Sequence, residues 1–305
     1  KVILNLNQIH DGINSKVYKL KLKKNKNLIL KIYPFEDNFV SRRMKVENNS
    51  LRYLKKNNFS VPGIYKSFFE FNCSFYEFQS GKKNLKATEL LIDQCYDFLK
   101  KLFLLSRKTK INLFQNAKEA CFNPNEICEQ IERKFINLLK IKNKALNNFL
   151  LLEFRNLFTK YSKITESKLN KEFKSKISNS NRILSPSDFG LHNTLSEKNK
   201  LHFIDFEYFG WDDPIKLICD FVWHPGNNMS KKLKNRFLNK VINFFSKKYK
   251  NFKNKLYVLL PLYGLRWTLI VLNCFLKKNY KNKTLEIKQL KKAKKILSQV
   301  SHYGY

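Results

Sequence analysis

A chain of 305 residues with 43% hydrophobic residues is long enough to bury one large core or two smaller ones, which excludes wholesale disorder. Its 60 Lys and Arg against 24 Asp and Glu give a formal net charge of +36, a balance shared by many nucleic-acid and anionic-surface binders. The lysines are nevertheless spread along the whole sequence among abundant Asn, Ile and Phe, without a helix-turn-helix, zinc-finger or ribonucleoprotein signature, so specific nucleic-acid binding is not expected and weak binding to anionic surfaces is the most the charge implies.

In chain order, 2–8 and 16–23 read as strands flanking Asp11-Gly12-Ile13-Asn14-Ser15, a glycine-containing turn suited to lie over phosphates, with Gly12, Asn14 and Ser15 as candidate nucleotide contacts. The next strand, 28–33, sets Lys31 among apolar neighbours, where a charged side chain needs a partner or a ligand. Met44, Glu47, Leu51 and Leu54 then recur at helical spacing, which puts Glu47 on the apolar stripe and predicts that it pairs with Lys31. Two further strands, 65–71 and 74–78, turn at Asn72-Cys73, and Glu77-Phe78-Gln79 follows as a connector. From Asn84 onward the pattern is helical, with apolar stripes over 87–105, 125–142, 145–161, 231–249 and 284–300. The apolar run 256–276 is long enough for a bilayer but contains Pro261, Gly264, Arg266 and Asn273, and reads as a buried helix rather than a membrane span. The six cysteines form no CxxC pair; with no signal-peptide pattern, reduced thiols in a cytoplasmic protein are expected.

The most informative stretch is Ser185-Pro186-Ser187-Asp188-Phe189-Gly190-Leu191-His192-Asn193, followed by Phe203-Ile204-Asp205-Phe206-Glu207. Residues 194–195 and 201–204 read as the strands of a hairpin turning at 197–200, so Asn193 at its entrance and Asp205 at its exit lie side by side. An amide oxygen beside a carboxylate suits Mg²⁺, a hard cation that completes its shell with water and phosphates. Asp188, on the loop leading in, is then free to accept the proton of an attacking hydroxyl.

Asp188 to Asn193 together with Asp205-Phe206-Glu207 resembles the catalytic loop and metal motif of the aminoglycoside phosphotransferase and choline kinase superfamily, and the continuation Tyr208-Phe209-Gly210-Trp211-Asp212-Asp213-Pro214 with Asp220-Phe221 also resembles its members. The resemblance implies an α+β, bilobal protein-kinase-like fold: a small antiparallel-sheet lobe with one helix over 1–79 and a large, mostly helical lobe over 80–305. It implies ATP and Mg²⁺ as cofactors and a small hydroxyl-bearing molecule as acceptor. Lys31, held by Glu47, would steady the α/β-phosphates, and the backbone at Glu77 and Gln79 would bond adenine. Asp188 would be the catalytic base, and Asn193 and Asp205 the metal ligands. Glu207, Asp212 and Asp213 are candidate acceptor contacts, turn and cap roles being the alternative for the last two. Asp220 is expected to anchor the catalytic loop, and His192 to pack in it.

Two departures stand out. Pro186 occupies the place of the superfamily's histidine two residues before the catalytic aspartate, a loss of bracing rather than of chemistry. Tyr208 to Asp220 leaves no room for a long activation segment, which argues against protein acceptors. The segments around Asp188 and Asp212 are similar to members associated with cell-surface polysaccharide loci, so a sugar or glycan precursor is the preferred acceptor and an amino alcohol such as choline the next. The rivals are a kinase-fold protein that binds nucleotide or a partner without turnover, and a basic binder of nucleic acid or anionic surfaces.

Overall fold

The computed structural model describes residues 3–11, 15–23, 26–35, 41–83, 86–276 and 282–303. The chain forms two compact units: one comprises Lys1–Glu119, Leu184–Trp211 and Gly226–Asn228, the other Ala120–Ile183, Asp212–Pro225 and Met229–Tyr305. The first long helix after the connector and residues 184–211 thus fall in the same unit as the N-terminal sheet.

The first unit opens with β1 (Ile3–Asp11), β2 (Lys16–Leu22) and β3 (Asn27–Ile32), then α1 (Arg42–Lys56), β4 (Ile64–Phe68) and β5 (Cys73–Glu77). The five strands make one sheet in the order β1-β2-β3-β5-β4, with antiparallel neighbours throughout. Strand alternation splits this sheet into two chemically different faces. Leu20, Leu22 and Leu28 form an apolar cluster with Leu30 and Phe75 on one face. On the other, Lys31 pairs in register with Ser74 and Ile29 with Tyr76, so Lys31, Ser74 and Tyr76 share a side. β4 is shorter than its pattern suggests, since Phe69–Phe71 is a short 3₁₀ turn and Asn72 takes a left-handed conformation (φ 44°) to enter β5.

β6 (Lys82–Lys83) leads to α2 (Glu89–Ser106), which Thr88 caps by accepting the Leu91 N–H. β7 (Ile183–Ser185) precedes the loop that carries Asp188, and β8 (Thr194–Glu197) and β9 (Lys200–Phe203) form the expected hairpin, with Thr194 opposite Phe203 and Glu197 opposite Lys200. Lys198 and Asn199 both have positive φ (45° and 62°), as a two-residue hairpin turn requires. β10 (Gly210–Asp212) follows.

The second unit is helical: α3 (Pro124–Leu139), α4 (Lys144–Asn148), α5 (Arg155–Lys168), α6 (Pro214–Trp223), α7 (Lys231–Phe245), α8 (Phe252–Ile270) and α9 (Lys283–Val300). A π-helical turn at Phe149–Phe154 joins α4 to α5, so the single stripe seen in the sequence is one helical run with a wider turn inside it. α8 is the core helix, packed against α3, α5, α6 and α9. It and the 3₁₀ turn after it, Phe252–Leu276, form the one helix among the described residues long and apolar enough to cross a membrane; 78% of its most apolar stretch is buried in the unit, as its interrupting residues predict.

Candidate active site

The polar face of the sheet and one face of α1 meet in a closed hydrogen-bonded network. Lys31 Nζ lies 2.7 Å from Glu47 Oε2, 2.9 Å from Asp205 Oδ1 and 3.3 Å from Glu207 Oε2. Burial opposes the ammonium charge, yet the carboxylates of Asp205, Glu47 and Glu207 outweigh it and hold the lysine pKa well above its ordinary value. Glu47 is fixed from three sides: its Oε2 also accepts the Tyr33 hydroxyl at 2.5 Å, and its Oε1 accepts the Phe206 N–H at 3.2 Å. Tyr33 Oη pairs with Tyr76 Oη at 2.7 Å, and Tyr76 donates to Asn48 Oδ1 at 2.9 Å. Asn48 Nδ2 donates in turn to Ser67 and Ser74, which ties α1 to β4 and β5. Glu47 is thus a strut between α1, β3 and the segment that carries Asp205.

The loop that carries Asp188 is held by its own backbone and by aromatic stacking. Ser187 takes a left-handed conformation (φ 67°), its N–H donates to the Ser185 Oγ at 3.0 Å, and its hydroxyl donates to the Lys118 carbonyl at 2.9 Å. Asp188 lies half-exposed beyond this turn. Asn193 Nδ2 donates to the Asp188 carbonyl at 2.9 Å and sits 3.2 Å from its Oδ2, while His192 Nε2 lies 3.2 Å from Oδ1. The Ile204 N–H donates to the Asn193 carbonyl at 2.9 Å, so the hairpin does return Asp205 to the side of Asn193. Asp205 itself is left-handed (φ 67°), an uncommon state for a residue with a Cβ that turns its carboxylate back toward Lys31. Phe98 of α2 stacks on Phe203 with ring centroids 3.8 Å apart and on Phe189 at 5.7 Å, and contacts Phe206 at 6.4 Å. Those rings flank Asp188 and Asp205 in the chain, so one α2 side chain braces both motifs.

The oxygen donors here fit a hard divalent cation. One oxygen each from Glu47, Asp205 and Glu207 lies within 4.8 Å of the others. Glu207 Oε2 is buried without a hydrogen bond, and burial raises its carboxyl above the usual range against the pull of Lys31. Asn193, with its amide nitrogen engaged by Asp188, presents its oxygen as a further acceptor.

Solved structures share this architecture. The chain matches a spectinomycin phosphotransferase in complex with ADP and spectinomycin at a TM-score of 0.63 and 15% identity, covering 98% of this chain and 94% of that one. It matches a choline kinase from Streptococcus pneumoniae at 0.59 and 16%, covering 97% and 94%, and an amicoumacin kinase in complex with AMP-PNP and Ca²⁺ at 0.60 and 15%, covering 96% and 88%. The chain has their fold. No protein-family profile and no curated protein sequence matches it.

Within this kinase-like fold, Lys31, Glu47 and Asp205 meet at one point, and Asp188 and Asn193 at another that the Asn193 carbonyl links to it. Glu207, expected at the acceptor, instead lies against Lys31 and 4.0 Å from Arg43 Nη1. It also borders a cleft of about 1050 Å³ whose walls include Arg42, Arg43, Lys118 and Tyr208 but not Asp188, Asn193 or Asp205. Asp212 is fully buried with its Oδ2 2.8 Å from Lys216 Nζ, and Asp213 takes the alternative role of a buried cap, accepting the Ile215 N–H at 2.6 Å. Lys216, Arg266 and Trp267 of the helical unit hold the Asp220 carboxylate. Glu77 turns its side chain to Lys55 and the Gly63 N–H, and its own N–H is taken by the Gly63 carbonyl. Gln79 is half-buried in the irregular stretch after β5, and Ser15 is half-buried just before β2. Gly12 and Asn14 lie outside the described residues. Tyr33, Tyr76, Asn48 and Phe98 were not singled out from the sequence; the period-2 step from Lys31 to Tyr33 was the signal for the first of them.

Proposed function

We propose that this chain is an ATP-dependent phosphotransferase that moves the γ-phosphoryl group to a hydroxyl of a small molecule. The observation that carries the reading is the convergence of Glu47, Asp205 and Glu207 on Lys31, with Asp188 and Asn193 joined to Asp205 by the hairpin. Lys31 would steady the nucleotide phosphates, and Glu47, fixed by Tyr33 and the Phe206 N–H, would keep the ammonium in place. Asn193 and Asp205 would hold Mg²⁺, with Glu207 close enough to share it. Bound Mg²⁺ supplies neutralisation of phosphate charge. Asp188 would orient the acceptor hydroxyl and take its proton as the oxygen bonds to phosphorus and ADP leaves. In a loose transition state positioning and charge neutralisation outweigh base strength, which suits a half-exposed aspartate fixed by neighbours rather than buried. A sugar or glycan precursor is the acceptor class we favour, on the likeness of the segments around Asp188 and Asp212, with an amino alcohol next.

Calorimetric titration with ATP tests the nucleotide half of the proposal. Binding should require Mg²⁺ and weaken about tenfold or more in Lys31→Ala and Asp205→Ala, as loss of a charge-assisted contact predicts. Equal affinity in wild type and both variants would refute it.

A further inference from the structure

His192 lies on the turn Leu191–Asn193, and its Nε2 stands 3.2 Å from Asp188 Oδ1, while Asn193 Nδ2 stands 3.2 Å from Oδ2. Both oxygens of the carboxylate therefore have a side-chain nitrogen within hydrogen-bonding distance. An ionised carboxylate only accepts hydrogen bonds, so Nε2 carries a proton and is the donor. The loop is shaped for this contact. A Cβ on Gly190 would lie 2.7 Å from His192 Nδ1 and closer still to Asn227 Oδ1, which itself accepts the Leu191 N–H at 2.7 Å. Any side chain at 190 would displace the imidazole, the Asn227 amide or both.

We infer that His192 is a positioning residue for the transfer: by donating from Nε2 it fixes the rotamer of Asp188. The side chain of Asp188 is 38% exposed, and a donor 3.2 Å from Oδ1 opposes rotation of the carboxylate about the Cα–Cβ bond. His192 thus supplies from four residues downstream the bracing that Pro186, two residues upstream, does not. The inference rests on the reading of Asp188 as the base.

Two readouts test it. Long-range ¹H–¹⁵N spectra of the full chain, with His192 assigned from His192→Gln, should show a proton on Nε2, and Asp188→Asn should change the His192 ring shifts while Asp205→Asn leaves them in place. Turnover of ATP with Mg²⁺, on a panel of hydroxyl acceptors and with water alone, should fall about 10- to 100-fold in kcat for His192→Ala at unchanged KM for ATP. His192→Gln, whose amide still donates, should recover part of the loss; an element that merely shaped the loop would not be rescued this way. Ring shifts indifferent to Asp188→Asn, or wild-type kcat in His192→Ala alongside a dead Asp188→Asn, would overturn the inference alone. Absence of turnover in the wild type, or undiminished turnover in Asp188→Asn, would sink the enzyme reading and the inference with it.

Discussion

At the scale of single residues, the site works by denying its charges any alternative geometry. Lys31 is buried against three carboxylates, so each partner it has is also a constraint on where its ammonium points. Glu47→Gln keeps the shape of the strut and most of its hydrogen-bonding capacity but removes one charge. Affinity for ATP should drop about 10- to 100-fold, the range for a lost hydrogen bond to a charged group, with little change in melting temperature; calorimetric titration and thermal unfolding check both. Tyr33→Phe removes a neutral donor from Glu47 and the partner hydroxyl of Tyr76, and strands no charge. It should cost about 1 kcal/mol of stability in denaturant unfolding, and a loss of ATP affinity as large as that of the Glu47 variant would mean that the hydroxyl rather than the carboxylate positions Lys31.

At the scale of elements, the catalytic loop and the Asp205 segment are held by stacking on one face of α2. Phe98→Ala should destabilise the protein by about 3–5 kcal/mol, the usual cost of truncating a buried phenylalanine, and should lower turnover more than a cavity elsewhere in the core would. Comparison with Phe237→Ala, which empties a site in the helical unit, separates the two effects in one set of unfolding and rate measurements. What the sequence made legible follows the same division. Short-range patterns carried the sheet, the hairpin and the Lys31–Glu47 pair, because alternation and helical spacing encode which face a residue takes. They did not carry what lies between elements. Asp212 and Asp213 read equally as acceptor carboxylates or as turn and cap residues in one dimension, and only the fold shows one on Lys216 and the other on the first turn of α6. α2 meets residues 184–211 through aromatic contacts from Phe98 to Phe189 and Phe203, about a hundred positions apart in the chain, which no local pattern records.

For the whole molecule, two collective electrostatic features make testable statements. In the helical unit, Lys216 is buried between Asp212 and Asp220, and Arg266 and Trp267 also bond Asp220. Burial lifts the Asp212 carboxyl from 3.8 to about 6, against the pull of Lys216. Between those values the native state keeps a proton that the unfolded chain has released, so the stability this group contributes is fully present below 3.8 and is lost as pH rises to about 6. The difference in melting temperature between wild type and Asp212→Asn, followed from pH 4 to 7, should show that fall; a rise over the same window would contradict the assignment. The second feature is the surplus of +36. Retention on phosphatidylserine vesicles should decline steeply with salt and be the same for Asp205→Ala as for wild type; dependence on Asp205 would tie the surface charge to the site.

The most direct test of the central claim is transfer of the γ-phosphoryl group from ATP, with Mg²⁺, to a panel of sugars, amino alcohols, hydroxy amino acids and aminoglycosides, in wild type and Asp188→Asn. We expect acceptor-dependent formation of ADP and phosphorylated product, with kcat lower by about 10²- to 10⁴-fold in the variant, the range for a positioned acid or base. Equal turnover in Asp188→Asn, or binding of ATP with no transfer to any acceptor, would contradict it.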